Sequence, residues 1–399
     1  METQKLKVHT KKYFKILISL TISFFFLFNT GCWDRTEIEE LAFVIAMGLD
    51  EAKEIPDGVR VSVQVVDPAA MEKTEGKGGG GEPVVVISAE GRTVFQAIRR
   101  LAELSPKRVF FEQMIVVVIG EEFAKKGISR ALDFIERDDE LRRSAWAVVC
   151  TGEAEKLLEL KTNLESVPGK AIMAQIQRQG RVGTAYTTRV GDIIQTLGTK
   201  GKEPAISRIY AIKGDGGDKP DQLRINGTAV FKEDKLVGWL TPWESKGLLW
   251  ITGNIKSTIV SVNMPEEKRE VSFETRRASG NIEPYFEDGK IWAVVEVIEE
   301  GIIGEKVEES PTETAGYVEE LEQIKTKAIE KEIKWALEKG QKELKSDIFG
   351  FGSAFAIKYP KLWKEIEKDW PEIFPELEVK LDVQAHVRDA GMIMKPHGE

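Results

Sequence analysis

The chain of 399 residues is 42% hydrophobic and 31% charged, the balance of a folded protein with more than one core rather than a disordered or multi-span membrane chain. Its 57 Lys and Arg against 66 Asp and Glu leave a net charge of −9, which excludes a generally basic nucleic-acid binder. Two cysteines exclude a disulfide framework, and three histidines (His9, His386, His397) argue against a His-rich metal site or a His-based triad.

Residues 1–31 hold five lysines and one glutamate, and an apolar run follows over 16–28. A positive start, a short apolar run and small residues up to Gly31 describe a secretory signal peptide. As a helix the run reaches about 20 Å, short of the roughly 30 Å hydrocarbon core. The uncharged stretch 16–33 is eighteen residues long, so an uncleaved anchor is the alternative. Cys32 stands directly after Gly31, an arrangement that resembles a bacterial lipobox, although Asn29 occupies the position of the usual branched aliphatic. There the thiol takes a diacylglyceryl group, and cleavage before Cys32 exposes an amine for N-acylation. At roughly 0.8 kcal/mol per buried CH₂, one acyl chain holds marginally and two hold stably. Removing residues 1–31 shifts the net charge from −9 to −13, so acyl chains rather than a basic patch would hold the body at a membrane.

The body alternates strands and helices. Residues 58–66 place Val59, Val61, Val63 and Val65 on one face, predicting a strand. The four glycines at 78–81 read as a mobile loop, since no Lys-Ser/Thr and no helix follows them. A strand over 84–88 precedes a helix capped by Thr93, with Phe95, Ile98 and Leu101 on one face. Strands over 114–119 and 145–150 flank a helix marked by Ile128, Leu132 and Ile135. Cys150 ends the second strand and reads as a buried strand residue. Helices follow around 172–176 and 190–197, and a turn-rich break at 213–221 marks a boundary.

The C-terminal half reads differently. A hairpin joins 223–231 to 236–240, and Thr241-Pro242 opens a helix through Trp250. Strands are expected over 255–262, 270–278 and 290–298, with a turn at Asp288-Gly289. The longest helix, about 314–345, carries Glu330–Lys334 and Glu338–Lys342 pairs on its wet side. A last strand over 377–388 places His386 on its polar side. The fold class is α+β (mixed α/β): several sheet-and-helix domains, the C-terminal one an antiparallel sheet with a long packed helix. The expected domains are a signal at 1–31, an N-terminal α/β region at 32–212 and a C-terminal α+β domain at 222–399.

Candidate chemistry is sparse. Tryptophans 239, 243, 250, 292, 335, 363 and 370 could line a groove, but large aromatics are more often core. No carboxylate pair is set apart by its context, and G-x-S-x-G, H-E-x-x-H and Walker motifs are absent. The sequence therefore offers no catalytic, cofactor-binding or metal-ligating residue, and Cys32 is its one candidate site.

The stretch Gly31-Cys32-Trp33-Asp34-Arg35-Thr36-Glu37-Ile38-Glu39-Glu40-Leu41, continued by Ala46-Met47-Gly48-Leu49-Asp50, resembles the mature start of the Ger(x)C spore germination lipoproteins. Asn226-Gly227-Thr228-Ala229-Val230-Phe231 with Asp234-Lys235-Leu236-Val237-Gly238-Trp239-Leu240 resembles the family's hairpin signature, and Ser346-Asp347-Ile348-Phe349-Gly350-Phe351-Gly352 its post-helix motif. The resemblance implies the C subunit of a nutrient germinant receptor, a lipoprotein on the outer face of the spore inner membrane that works with multi-span A and B subunits. It also implies three mixed α/β domains, which would divide the N-terminal region near residue 150. It carries over no catalytic residue and no cofactor, only Cys32 as the lipid-bearing position. The competing reading is a solute-binding lipoprotein of an uptake system, which would need two similar lobes around a cleft. An envelope hydrolase is the third.

Overall fold

The structure, a computed structural model, describes residues 14–19, 21, 37–66, 84–160, 165–214, 221–264, 269–306 and 315–389. Contacts divide the chain into two compact units, residues 1–41 and 42–399. In the first, residues 14–19 are helical and Ile38–Glu40 forms a 3-10 turn. The expected lipid-bearing Cys32, most of the signal run and the glycine loop at 78–81 lie outside the described residues. No helix among the described residues is long and apolar enough to cross a membrane.

The second unit contains two sheets. The larger has ten strands among the described residues: β1 (Leu41–Glu51), β2 (Val59–Val66), β3 (Val84–Gly91), β4 (Arg108–Phe110), β5 (Val116–Gly120), β6 (Trp146–Cys150), β7 (Thr188–Arg189), β8 (Ala205–Ile212), β9 (Gln222–Lys232) and β10 (Lys235–Leu240). Its order is β10-β9-β8-β6-β5-β1-β2-β3, with β4 beside β1 and β7 beside β6. The middle strands β8, β6, β5 and β1 pair in parallel, and antiparallel strands extend the sheet at both edges. Central parallel strands need cover on both faces. The helices α1 (Val94–Leu104), α2 (Glu121–Lys126) and α3 (Ser129–Arg137) and α6 (Val190–Leu197) bury one face, around Val117, Ile119, Ala147 and Val149. The helices α4 (Ala154–Leu158) and α5 (Pro168–Val182) bury the other, around Val116, Val118, Val148 and Cys150.

This double cover changes two expectations. The alternation in β2 predicts one wet face, yet Arg60, Ser62 and Gln64 are buried as well. Gln64 donates to the Leu158 carbonyl at 2.8 Å and accepts the Gly169 N–H at 2.9 Å, tying β2 to both helices of the second layer. Arg60 reaches Glu153 at 2.8 Å and Glu155 at 3.3 Å. Helix α1 has its predicted cap, with Thr93 Oγ1 accepting the Gln96 N–H at 3.1 Å. Its buried face, however, is Val94, Ala97 and Leu101, while Phe95 is exposed and meets the Phe134 ring at 5.9 Å.

The smaller sheet has the order β11 (Ile259–Met264), β12 (Arg269–Glu287), β13 (Lys290–Lys306), β14 (Glu378–Asp389). The first three strands are antiparallel neighbours, as expected, but β14 runs parallel to β13. The reason is the connection: α8 (Ala315–Leu337) and the segment after it return the chain to the starting end of the sheet, and such a crossover joins parallel strands. A single core contains Leu248 to Ile251 of α7 (Pro242–Ile251), the inner face of this sheet, one stripe of α8, and the aromatics Phe349, Phe351, Phe355, Trp363, Trp370 and Phe374. Helix α7 begins with a capping box: Thr241 Oγ1 accepts the Glu244 N–H and the Glu244 carboxylate accepts the Thr241 N–H.

Candidate functional site

Cys32 and its neighbours Trp33 and Asp34 lie outside the described residues, so no geometry is assigned to them. The other two quoted motifs are described, and the structure brings them together where the two sheets meet. Several motif residues there have a physical task.

In the hairpin β9–β10, Gly227 adopts φ +89°, and a Cβ there would sit 2.6 Å from the Leu240 carbonyl oxygen. Asp234, in the turn, accepts the Ser129 N–H through its carboxylate at 3.2 Å, and its carbonyl accepts the Ile128 N–H at 2.9 Å. The hairpin tip thereby satisfies the start of α3. Trp239 stacks under the Arg208 guanidinium at 4.9 Å.

The post-helix motif follows α8 after a wider π-helical turn, Glu338–Glu343. The wider turn breaks the i,i+4 pair expected for Glu338 and Lys342: Lys342 instead reaches Glu376 at 3.1 Å, while Lys334 keeps its pair with Glu330. Ser346 donates its hydroxyl to the Phe231 carbonyl of the hairpin. The buried Asp347 carboxylate accepts the N–H groups of Gly350, Phe351 and Gly352 at 2.8, 3.1 and 2.8 Å. Burial pushes it up to about 6 against the donors that hold it down. The motif thus starts α9 (Phe351–Lys358) on a side-chain anion.

A loop from residue 198 to 204 lies between the two motifs. Glu203 donates its N–H to the Asp347 carbonyl at 2.9 Å, Pro204 accepts the Phe231 N–H at 3.0 Å, and Gly201 accepts the Ser353 N–H at 2.8 Å. The Glu203 carboxylate accepts the Glu233 N–H at 2.6 Å. Burial pushes Glu203 up to about 7, and the negative charges of Asp347 and Glu233 add to the shift. A cavity of about 380 Å³ opens between α6, this loop, Asn254 and Ser353. Beyond Lys202 a second cavity of about 450 Å³ continues toward residues 280–284 of β12 and the side of α9.

No tryptophan lines either cavity. Trp250, Trp363 and Trp370 are core, while Trp243 and Trp335 are exposed. Cys150 is buried in its strand, and burial raises its thiol well above the usual range. His386 is half-exposed on β14, with Nδ1 3.7 Å from Glu322. Among the described residues no group of three or more His, Cys, Asp or Glu side chains could hold a metal ion. Lys202 and Glu203 carried no sequence signal, because their loop matches no motif.

Residues 34–210 match the family described as "Spore germination protein N-terminal domain", and residues 226–391 match "Spore germination B3/ GerAC like, C-terminal". Spore germination protein KC of Bacillus subtilis (strain 168) is 27% identical over 96% of this chain and 97% of that protein. Spore germination protein B3 of the same organism is 26% identical over 96% of this chain and 100% of that protein. The crystal structure of the GerBC protein superposes with a TM-score of 0.56 at 22% identity, covering 88% of this chain and 99% of that one, which establishes a common fold.

Proposed function

Because the chain belongs to the GerAC-like family of spore germination proteins, we propose that it is the lipid-anchored, non-enzymatic C subunit of a nutrient germinant receptor. In this reading Cys32 carries the lipid on the outer face of the spore inner membrane, and the acidic body works through contacts with multi-span A and B subunits. The carrying observation is one of order along the chain: a positive segment, an apolar run and Gly31-Cys32 directly precede the family match that begins at residue 34. A body of net charge −13 gains nothing from anionic headgroups, which favours a lipid tether over a basic patch. The non-enzymatic reading is supported by what the motif side chains do. Asp347 and Glu203 are both engaged by backbone N–H groups, and Ser346 and Asp234 join one segment to another. These are the duties of a scaffold. The two sheets differ in strand number and order, unlike the paired lobes of a solute-binding protein.

The test is fractionation of sporulating cells. The native chain should stay in a salt-washed membrane pellet, and Cys32→Ala should move it to the soluble fraction. Retention of Cys32→Ala in the washed pellet overturns the lipid anchor. Purification of the tagged native chain from detergent-solubilised spore membranes should bring multi-span partners with it, and recovery of the chain alone overturns the subunit reading.

A further inference from the structure

The two cavities at the sheet junction share Lys202, Asn254 and Ser353. Of these, Lys202 brings the charge. Its stem crosses Gly350 of the post-helix motif, where a Cβ would lie 3.3 Å from Lys202 Cδ. Nearby lysines are spoken for: Lys200 pairs with Glu367, and Lys358 pairs with Glu283. Among the described residues Lys202 has no ion pair and no side-chain hydrogen bond. An ammonium in a half-enclosed cleft without a counter-ion is a ready partner for an anion.

The acidic groups of the same cleft are already engaged by backbone donors. Asp192 of α6 is occupied by the Arg189 N–H at 3.1 Å, in the first turn of its helix. Glu203 gives one carboxylate oxygen to the Glu233 N–H. Its other oxygen, once protonated, is a donor. A ligand carboxylate can therefore meet a cation on one side and an acid O–H on the other, with the Thr187 and Ser353 hydroxyls lining the same wall. A cavity of about 380 Å³ suits a small metabolite rather than a polymer.

We propose that this cleft binds a small carboxylate, paired with the Lys202 ammonium and hydrogen-bonded by Glu203. The site goes beyond the receptor-subunit reading and does not depend on lipidation, so Cys32→Ala should leave it intact. Asp192 and Tyr186 from the 186–197 segment and Lys202 and Glu203 from the loop line it, while Lys232 and Glu233 of the hairpin and the buried Asp347 act on Glu203 by charge. Since Glu203 must keep its proton to donate, binding weakens as pH rises through about 7.

Calorimetry of the full chain in detergent tests this, with acetate, succinate and glutarate as probes and their amides as controls. At least one carboxylate should bind saturably at one site per chain, more tightly at pH 6 than at pH 8, and its amide should not bind. Lys202→Met keeps the stem over Gly350 and should weaken that binding at least about tenfold, the loss expected for one charge-assisted hydrogen bond. Glu203→Gln should bind with the pH dependence removed. Circular dichroism monitors folding, and Lys202→Gln serves if the Met variant misfolds. No saturable carboxylate binding, equal binding of the amides, or binding by the folded Lys202 variant at native strength each overturns the site.

Discussion

The Trp370 indole N–H donates to the Asp347 carboxylate at 3.0 Å, although the two residues stand twenty-three positions apart. With the three backbone donors of residues 350–352, it makes Asp347 the point at which the post-helix motif, the last helices and the loop under the hairpin are fixed together. The spacing Asp347, Gly350, Gly352 then has a physical reading. Gly350 takes φ +93°, and a Cβ on Gly352 would lie 2.6 Å from Gly201 Cα and 2.7 Å from the Trp370 nitrogen.

Asp347→Ala should therefore be among the most destabilising single changes in the body. It leaves buried N–H donors without an acceptor, each costing roughly 1–3 kcal/mol, so a loss of about 4 kcal/mol is expected. Urea unfolding at neutral pH measures it, and a loss under about 1 kcal/mol would show that water replaces the carboxylate.

Gly352→Ala acts on the same contact from the other side. The added methyl must separate the 201 loop from Trp363 and Trp370, an overpacking cost of about 1–3 kcal/mol. Gly152→Ala is the matched control, since its Cβ would meet open space and only its φ of +91° opposes the change. The first variant should lose more thermal stability than the second.

Stability should also respond to Glu203 as pH changes. Its folded value near 7 lies above the unfolded value of 4.5. The folded state therefore holds more protons than the unfolded state between those values, and stability falls as pH rises through that window. In Glu203→Gln this contribution vanishes. Unfolding free energies at pH 5 and pH 7.5 should differ less in the variant than in the native chain, and equal differences would count against a raised Glu203.

Much of the local structure is legible because its causes are local. The Thr93 and Thr241 caps, the 232–235 turn and the valine alternation of β2 each act within a few residues. Pairing partners are not legible in this way. That the 222–240 hairpin continues the ten-stranded sheet, and that β14 lies parallel to β13, depends on segments far away in sequence. The cleft is harder still, since Lys202 and Glu203 gain their setting from a loop clamped by two distant motifs. A different signal was present in the longest helix. Leu321, Ile329, Ile333 and Ala336 form its buried stripe, and Lys325 and Glu332 fall in phase with it. Charges in that phase must be buried, and buried charges must find partners.

Those partners are Glu299 for Lys325, at 2.5 Å with both side chains fully enclosed, and Lys246 for Glu332, at 3.2 Å. The Trp250 N–H also donates to Glu332 at 2.7 Å. Burial lowers Lys325 and raises Glu299, while each partner's charge works in the opposite direction. Such a pair contributes little net stability compared with an apolar replacement, but losing one member strands the other. Lys325→Met alone should cost about 3–5 kcal/mol. Adding Glu299→Leu should recover most of that loss, because a Met–Leu contact needs no counter-ion. A double-mutant cycle in urea decides the matter. If the double variant is as unstable as the two single losses added together, the pair is not coupled, and its charges do not hold α8 to the sheet.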